Sequence, residues 1–254
     1  MHTKLVELNK IKVGAVSYLN TKPLLHGIRL SDGLLKRIEL IEDYPAKIAA
    51  GLLNNEIDVG LVPVAVIPKL KTYHIVTDFC IGTEGEVASV ALFSEVPINE
   101  VQTVMLDYQS RTSVNLAKVL LKNYWKKEVV FEEAQPDFRS KISGTVAAIV
   151  IGDRALEQRK MSKYVYDLGL AWKDYTGLPF VFAAWVANKE LPEDFLDAFN
   201  RANGFGVQHM DAVLQETNYG MYDLKKYYTE NISYELTDKK KQALKLFLNL
   251  IEKV

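Results

Sequence analysis

The sequence predicts a mixed α/β protein built as two lobes around a cleft. Three observations predict it. Short apolar strand patterns alternate with helical ones over residues 10–62 and again over 103–151, the arrangement of β-α-β units and parallel sheets. A polar stretch containing Pro97, residues 94–99, separates the two units as a linker. The chain after Pro192 reads as helix with no sheet of its own, so it must pack on a sheet already made.

Taken in order, residues 10–16 form a β-rich run that closes in a polar loop at 17–20, and Pro23 opens a short helix to Gly27. Residues 37–41 give a second strand. Pro45 suits a first helical position, where its missing N–H costs nothing. Ile48, Ala49, Leu52 and Leu53 then make one face of a helix over 45–55. Residues 57–62 read as an apolar strand interrupted by Gly60, and 87–93 as another. In the second unit a strand at 103–106 turns through 107–111 into a helix over 112–124, with Val114, Ala117, Leu120 and Leu121 on one face. Strands follow at 128–131 and 146–151, with a short β-like run at 165–168. Residues 180–187 are strongly apolar and extended, and helices complete the chain at 192–203, 206–217 and 237–252. The economical packing returns this tail to the first unit. Lobe one is then 1–93 plus 180–254, lobe two is 94–179, and the double crossing makes a hinge with the ligand site in the cleft.

Composition sets the limits on function. The 254 residues are 48% hydrophobic and 25% charged, an ordinary globular balance. With 31 basic and 32 acidic residues the formal net charge is −1, and no basic stripe marks a nucleic-acid partner or a membrane surface. The longest apolar stretches fall short of the ~20 residues of a membrane span. The first twenty or so residues lack the apolar core of a signal peptide, so the expected location is the cytoplasm. Cys80, the sole cysteine, excludes an intramolecular disulfide, fits a reducing compartment and reads as a buried structural thiol. His2, His26, His74 and His209 stand apart without metal-ligand spacing. Neither a metal nor a cofactor is expected, and nothing in the sequence sets the oligomeric state.

Several polar groups fall where α/β sheets bind ligands, at the carboxyl ends of strands. Ser17, Tyr18, Asn20 and Thr21 lie between a strand and a helix and supply neutral donors and acceptors, with helix capping by Asn20 or Thr21 as the plainer alternative. Asp107-Tyr108-Gln109-Ser110-Arg111-Thr112-Ser113 also joins a strand to a helix. The free N–H groups of that helix, with the hydroxyls of Ser110, Thr112 and Ser113, make a carboxylate site. Arg111 pairs either with a substrate carboxylate or with Asp107 as a structural clamp. Gly152-Asp153-Arg154 closes the strand at 146–151, and Thr176 and Gly177 sit at the second crossing. Turn chemistry alone is the competing account of both segments. Ser89, inside the apolar run 87–93, must find a partner in the core or face a cavity. No phosphate-cradling glycine loop, G-x-S-x-G elbow or pair of carboxylates appears. The residues therefore describe a neutral cleft for a small anion more firmly than an enzyme.

These segments carry a family resemblance. Val13-Gly14-Ala15-Val16-Ser17-Tyr18-Leu19-Asn20-Thr21-Lys22-Pro23-Leu24 resembles the opening of the chorismate dehydratases of the futalosine route to menaquinone. The likeness continues through 58–63, Gly85-Glu86-Val87-Ala88-Ser89-Val90, Ser110-Arg111-Thr112-Ser113, Ile151-Gly152-Asp153, Asp167-Leu168-Gly169 and Thr176-Gly177-Leu178-Pro179, spanning about 11–190. The resemblance implies a type II periplasmic-binding-protein fold. It also implies a hydro-lyase that converts chorismate to 3-[(1-carboxyvinyl)oxy]benzoate and water without a cofactor. Asn20 and Ser89 match the family's catalytic asparagine and serine. Ser17, Tyr18, Thr21, Ser110, Arg111, Thr112, Ser113, Gly152, Asp153, Thr176 and Gly177 are the expected substrate contacts. Three rivals remain: a sister family making 1,4-dihydroxy-6-naphthoate, whose opening loop differs; a solute-binding protein without chemistry, which would carry an export signal; and a regulator's sensory domain, which would need a helix-turn-helix.

Overall fold

The computed structural model describes residues 10–254; His2 and the first nine residues of the segment read for a leader lie outside them. Strand β1 (Ile11–Val16) is buried over its last four residues and leads through a 3₁₀ turn (Leu19–Thr21) into α1 (Lys22–Arg29) and α2 (Asp32–Leu35). After β2 (Ile38–Asp43) come α3 (Pro45–Leu53), opened by its proline, the fully buried β3 (Val59–Pro63), and β4 (His74–Thr83). Pairing of β1 with both β2 and β3 is parallel, the β-α-β arrangement that the alternating pattern predicts. The long β4 had no counterpart in the sequence reading, because His74, Thr77, Asp78 and Thr83 interrupt its apolar residues.

The chain then crosses to a second sheet through residues 84–89. That sheet holds β5 (Val90–Ser94), β6 (Thr103–Leu106), β7 (Val130–Glu133), β8 (Val146–Ile151) and β9 (Tyr164–Asp167). Helices α4 (Thr112–Asn123), α5 (Asp153–Gln158) and α6 (Leu168–Thr176) connect these strands or close them. Here the expected boundary moves. The pattern places the run at 87–93 in the first lobe, yet β5 pairs antiparallel with β8 on one side and β9 on the other. The crossing therefore precedes β5 instead of following it at 94–99. An apolar run states that a strand is buried, not which sheet buries it.

The return crossing leads into β10 (Phe180–Ala187), which inserts antiparallel between β3 and β4. Helices α7 (Glu193–Gln208), α8 (Met210–Glu216) and α9 (Leu224–Lys226) follow. A π-helical turn (Tyr227–Asn231), β11 (Ser233–Glu235) and α10 (Asp238–Ile251) complete the chain. The strand orders are β11-β4-β10-β3-β1-β2 and β7-β6-β8-β5-β9. One large hydrophobic cluster runs from the first sheet to the second, and a smaller one lies on the other face of the second sheet.

The sequence reading broke the tail helix before Gly206, but α7 runs through it. A Cβ on Gly206 would meet the Pro23 carbonyl oxygen at 1.8 Å, and a Cβ on Gly27 would meet the Ala202 oxygen at the same distance. The two glycines let α1 and α7 touch backbone to backbone. Their role is close packing, at the cost of roughly 1 kcal/mol of helix propensity each.

Candidate functional site

The first wall of the cleft stands at the carboxyl end of the first sheet. Val16 ends β1, Tyr18 precedes the 3₁₀ turn that carries Asn20 and Thr21, and Leu61, Pro63, Ile81 and Phe182 close the floor. The second wall is Val87 and Val90 at the crossing, Ser110, Thr112 and Ser113 at the start of α4, and Ile151 and Gly152 at the end of β8. Between them lies a cavity of about 60 Å³. Its lining is apolar carbon punctuated by hydroxyls and one amide. It contains no carboxylate, histidine, lysine or arginine, and its one titratable group is the Tyr18 phenol, which burial pushes upward and keeps protonated.

The walls are joined across the cleft. The Tyr18 hydroxyl donates to Gln109 Oε1 at 2.5 Å, the Leu19 N–H donates to Asp153 Oδ1 at 3.2 Å, and the Ala65 N–H donates to Thr112 Oγ1 at 3.1 Å. Gly152 lies flat against the Tyr18 ring, where a Cβ would come within 3.0–3.2 Å of ring carbons, and its φ of +64° suits glycine. The lobes are therefore drawn together in this structure.

Thr112 and Ser110 have hydroxyls that accept backbone N–H groups, from Ala65 and Ser113 respectively, each at 3.1 Å. Each keeps its own proton to donate. Asn20 lines the cavity. Its Oδ1 accepts the Thr21 hydroxyl at 3.3 Å, and its backbone oxygen accepts the Tyr234 hydroxyl at 3.0 Å. Neither Asn20 nor Thr21 makes a side-chain cap to the turn or to α1, so the capping alternative falls away.

Ser89 sits in the crossing, one residue before β5, and not inside the strand as first read. Its carbonyl accepts the Gly152 N–H at 2.8 Å, and its hydroxyl accepts the Tyr227 phenol at 2.7 Å. It is fully buried and does not line the cavity itself, whereas its neighbours Val87 and Val90 and its partner Gly152 do. Asp167 fixes the crossing. It accepts N–H groups from Val87 at 3.1 Å and Ala88 at 2.8 Å while capping α6 through Gly169 and Leu170. Ala88 takes a left-handed φ of 61°.

Not every expected residue reaches the cavity. Arg111 is exposed and makes no pair with Asp107, because Arg154 already holds that carboxylate, with Nη2 at 2.9 and 2.7 Å from its two oxygens. Arg111 instead faces an outer hollow of about 490 Å³ beside Lys69 and Tyr108, which opens past the shared Ser110. Ser17 is exposed, its N–H bonded to the Asp43 carbonyl at 3.2 Å. Asp153 stays off the lining but ties down Leu19; burial raises its pKa against the Leu19 N–H, which favours the charged form. Thr176 and Gly177 finish α6: the threonine hydroxyl donates to the Trp172 carbonyl at 2.8 Å, and Gly177 takes the left-handed cap at φ 73°. Turn chemistry accounts for both.

Sequence reasoning missed Gln109 and Arg154 as parts of the latch, and it missed the tail altogether. Tyr219 donates to the Asp153 carbonyl at 3.1 Å, Tyr227 to Ser89 and Tyr234 to Asn20. One signal was available: five of the chain's 13 tyrosines fall between residues 219 and 234, and buried phenols need partners.

Among the described residues no group of three or more histidines, cysteines or acids could hold a metal ion, and no helix is long and apolar enough to cross a membrane. A family model described as menaquinone biosynthesis matches residues 11–253. A chorismate dehydratase of Thermus thermophilus is 28% identical, with 92% of this chain and 93% of that protein covered. A chorismate dehydratase of Campylobacter jejuni is 27% identical, with coverage of 92% and 95%. Among solved structures, protein AF1704 of Archaeoglobus fulgidus superposes with a TM-score of 0.77 at 15% identity, covering 96% of this chain and 97% of that one. The Candida albicans CA3427 product, described as having the generic periplasmic-binding-protein fold, gives 0.55 at 16%, with 97% and 94% covered. The Escherichia coli sulphonate-binding protein SsuA gives 0.58 at 13%, with 96% and 92% covered. The architecture is thus the two-lobed periplasmic-binding-protein fold.

Proposed function

The chain belongs to the menaquinone biosynthesis family, and on that premise we propose that it is a chorismate dehydratase, a carbon–oxygen lyase forming 3-[(1-carboxyvinyl)oxy]benzoate and water. The observation that carries this reading is the cavity itself: apolar walls for a ring, hydroxyls and an amide for oxygen atoms, and no side chain able to act as a strong base at neutral pH.

The chemistry follows from that lining. The C3–H bond breaks and its electrons become the last double bond of the ring. The C4–O bond breaks with the hydroxyl taking its electron pair, and aromatisation supplies the driving force. With no protein base present, the substrate's own enolpyruvyl carboxylate takes the C3 proton and passes it to the departing hydroxide, which leaves as water while the carboxylate is restored. Asn20 orients the enolpyruvyl group. Ser89 donates to the departing hydroxyl once the wall in front of it shifts. Ser110, Thr112 and Ser113 donate hydroxyl hydrogen bonds to a carboxylate at the start of α4. Holding the acceptor against C3 while water is excluded is the main catalytic contribution.

The cavity is far smaller than the ~300–1,000 Å³ of small-molecule sites, so binding requires the lobes to part and reclose. We take residues 84–89 and 177–179 as the hinge, with lobe two at 90–176 and the rest as lobe one. The fully buried Cys80 thiol, pushed up to about 12 by burial, suits a reducing cytoplasm.

The test is direct. Purified protein incubated with chorismate should yield a product lighter by one water, identified by chromatography and mass. Unchanged chorismate in the presence of folded protein would refute the assignment.

A further inference from the structure

We propose that Tyr227 is a positioning residue whose hydrogen bond turns the Ser89 hydroxyl toward the cleft. This rests on the dehydratase reading of the site and extends it to the tail, which the motif likeness does not reach. The two oxygens are 2.7 Å apart and both residues are fully buried, so water does not compete for either. A serine oxygen has two lone pairs and one proton. With one lone pair taken by the phenol, the serine's own proton is directed elsewhere. Among the described residues it has no acceptor, while the neighbours Val87 and Val90 and the backbone partner Gly152 all line the cavity. Burial raises the Tyr227 pKa well above 10.0, so the phenol keeps the proton it donates at any working pH.

The backbone is shaped for this contact. Tyr227 opens a π-helical turn, a widened turn frequent at functional sites. The ring is wedged between Tyr222 and Tyr228, at 6.1 and 5.6 Å between centroids. The same segment holds the crossing through Asn231, whose Nδ2 donates to the Glu86 carbonyl at 3.3 Å, and reaches Asn20 through Tyr234. One strap, distant in sequence, therefore supports both residues assigned to the chemistry.

The experiment is a cycle of Tyr227→Phe and Ser89→Ala, singly and together, with kcat and KM for chorismate measured separately. Tyr227→Phe keeps the ring and removes only the donor. We expect kcat to fall about tenfold, the kinetic equivalent of one hydrogen bond, with KM unchanged. In the Ser89→Ala background it should cost nothing further. An additive loss, a raised KM with intact kcat, or no loss at all would overturn the proposal. Should Tyr227→Phe fail to fold, 3-fluorotyrosine at 227 keeps the shape and strengthens the donor. A kcat shift that vanishes in Ser89→Ala supports the role, and no shift refutes it. The underlying reading fails differently: the parent protein would leave chorismate unchanged, or Ser89→Ala would turn over at the parent rate.

Discussion

The Tyr18 hydroxyl donates to Gln109 Oε1 at 2.5 Å, and the Arg154 guanidinium donates to the same oxygen at 2.8 Å. One amide oxygen thus ties the loop after β1 to the ion pair of Arg154 with Asp107, which belongs to the second sheet. This bond spans the cleft and belongs to the closed form.

Removing it should favour the open form. Gln109→Ala is expected to raise KM for chorismate several-fold, since net hydrogen bonds contribute about 1 kcal/mol. Small-angle scattering should show a larger radius of gyration for the free variant. An unchanged radius and KM would mean that the latch does not set the lobe equilibrium.

Asn20 lines the cavity, and its side-chain amide bonds only to its neighbour Thr21 among the described residues. Asn20→Ala should lower kcat by about a hundredfold, as expected for loss of a group that orients the reacting atoms. Thermal unfolding should move little, because the backbone contact with Tyr234 survives. Full turnover in this variant would remove Asn20 from the chemistry.

Gly152 combines φ +64° with the Tyr18 ring at 3.0–3.2 Å from any Cβ. Gly152→Ala should cost about 1–3 kcal/mol of stability through strain, and it should impede closure by pushing Tyr18 away. Calorimetry checks the first effect and KM the second. A melting temperature equal to the parent's would show that the turn relaxes freely.

The buried tyrosines give the protein an alkaline limit. Tyr227 and Tyr234 are raised well above 10.0 by burial, and Tyr228 is pushed up to about 12. In the unfolded chain they ionise near 10. In the folded chain they hold their protons longer, so their contribution is fully present below pH 10 and is lost as pH rises through the folded values. Stability should therefore fall above pH 10, by up to about 1.4 kcal/mol per pH unit for each buried phenol. Absorbance at the phenolate band during alkaline titration should show a fraction of tyrosines ionising only with unfolding. Smooth titration of every tyrosine near 10 would contradict the burial argument.

How much of this was legible beforehand differs by element. β1, β3 and α3 announce themselves through periodicity and Pro45. β4 does not, because its polar residues break the pattern, and α5, at six residues, is too short to stand out. At the site, Tyr18, Asn20, Thr21, Ser110, Thr112, Ser113 and Gly152 come together as expected from strand-end loops. Arg111 does not join them, since Arg154 satisfies Asp107 first. Thr176 and Gly177 serve the end of a helix.

The sequence by itself determined the α/β class, the two strand-end loops that face each other and the neutral character of the cleft. These are local properties, readable from periodicity, turn residues and the hydroxyl- and amide-rich motifs. Only the tertiary structure decided which sheet takes β5, which arginine holds Asp107, and that Tyr227 reaches Ser89 across 138 positions. Such pairings depend on where distant segments are brought by burying one continuous core, and no spacing along the chain encodes them.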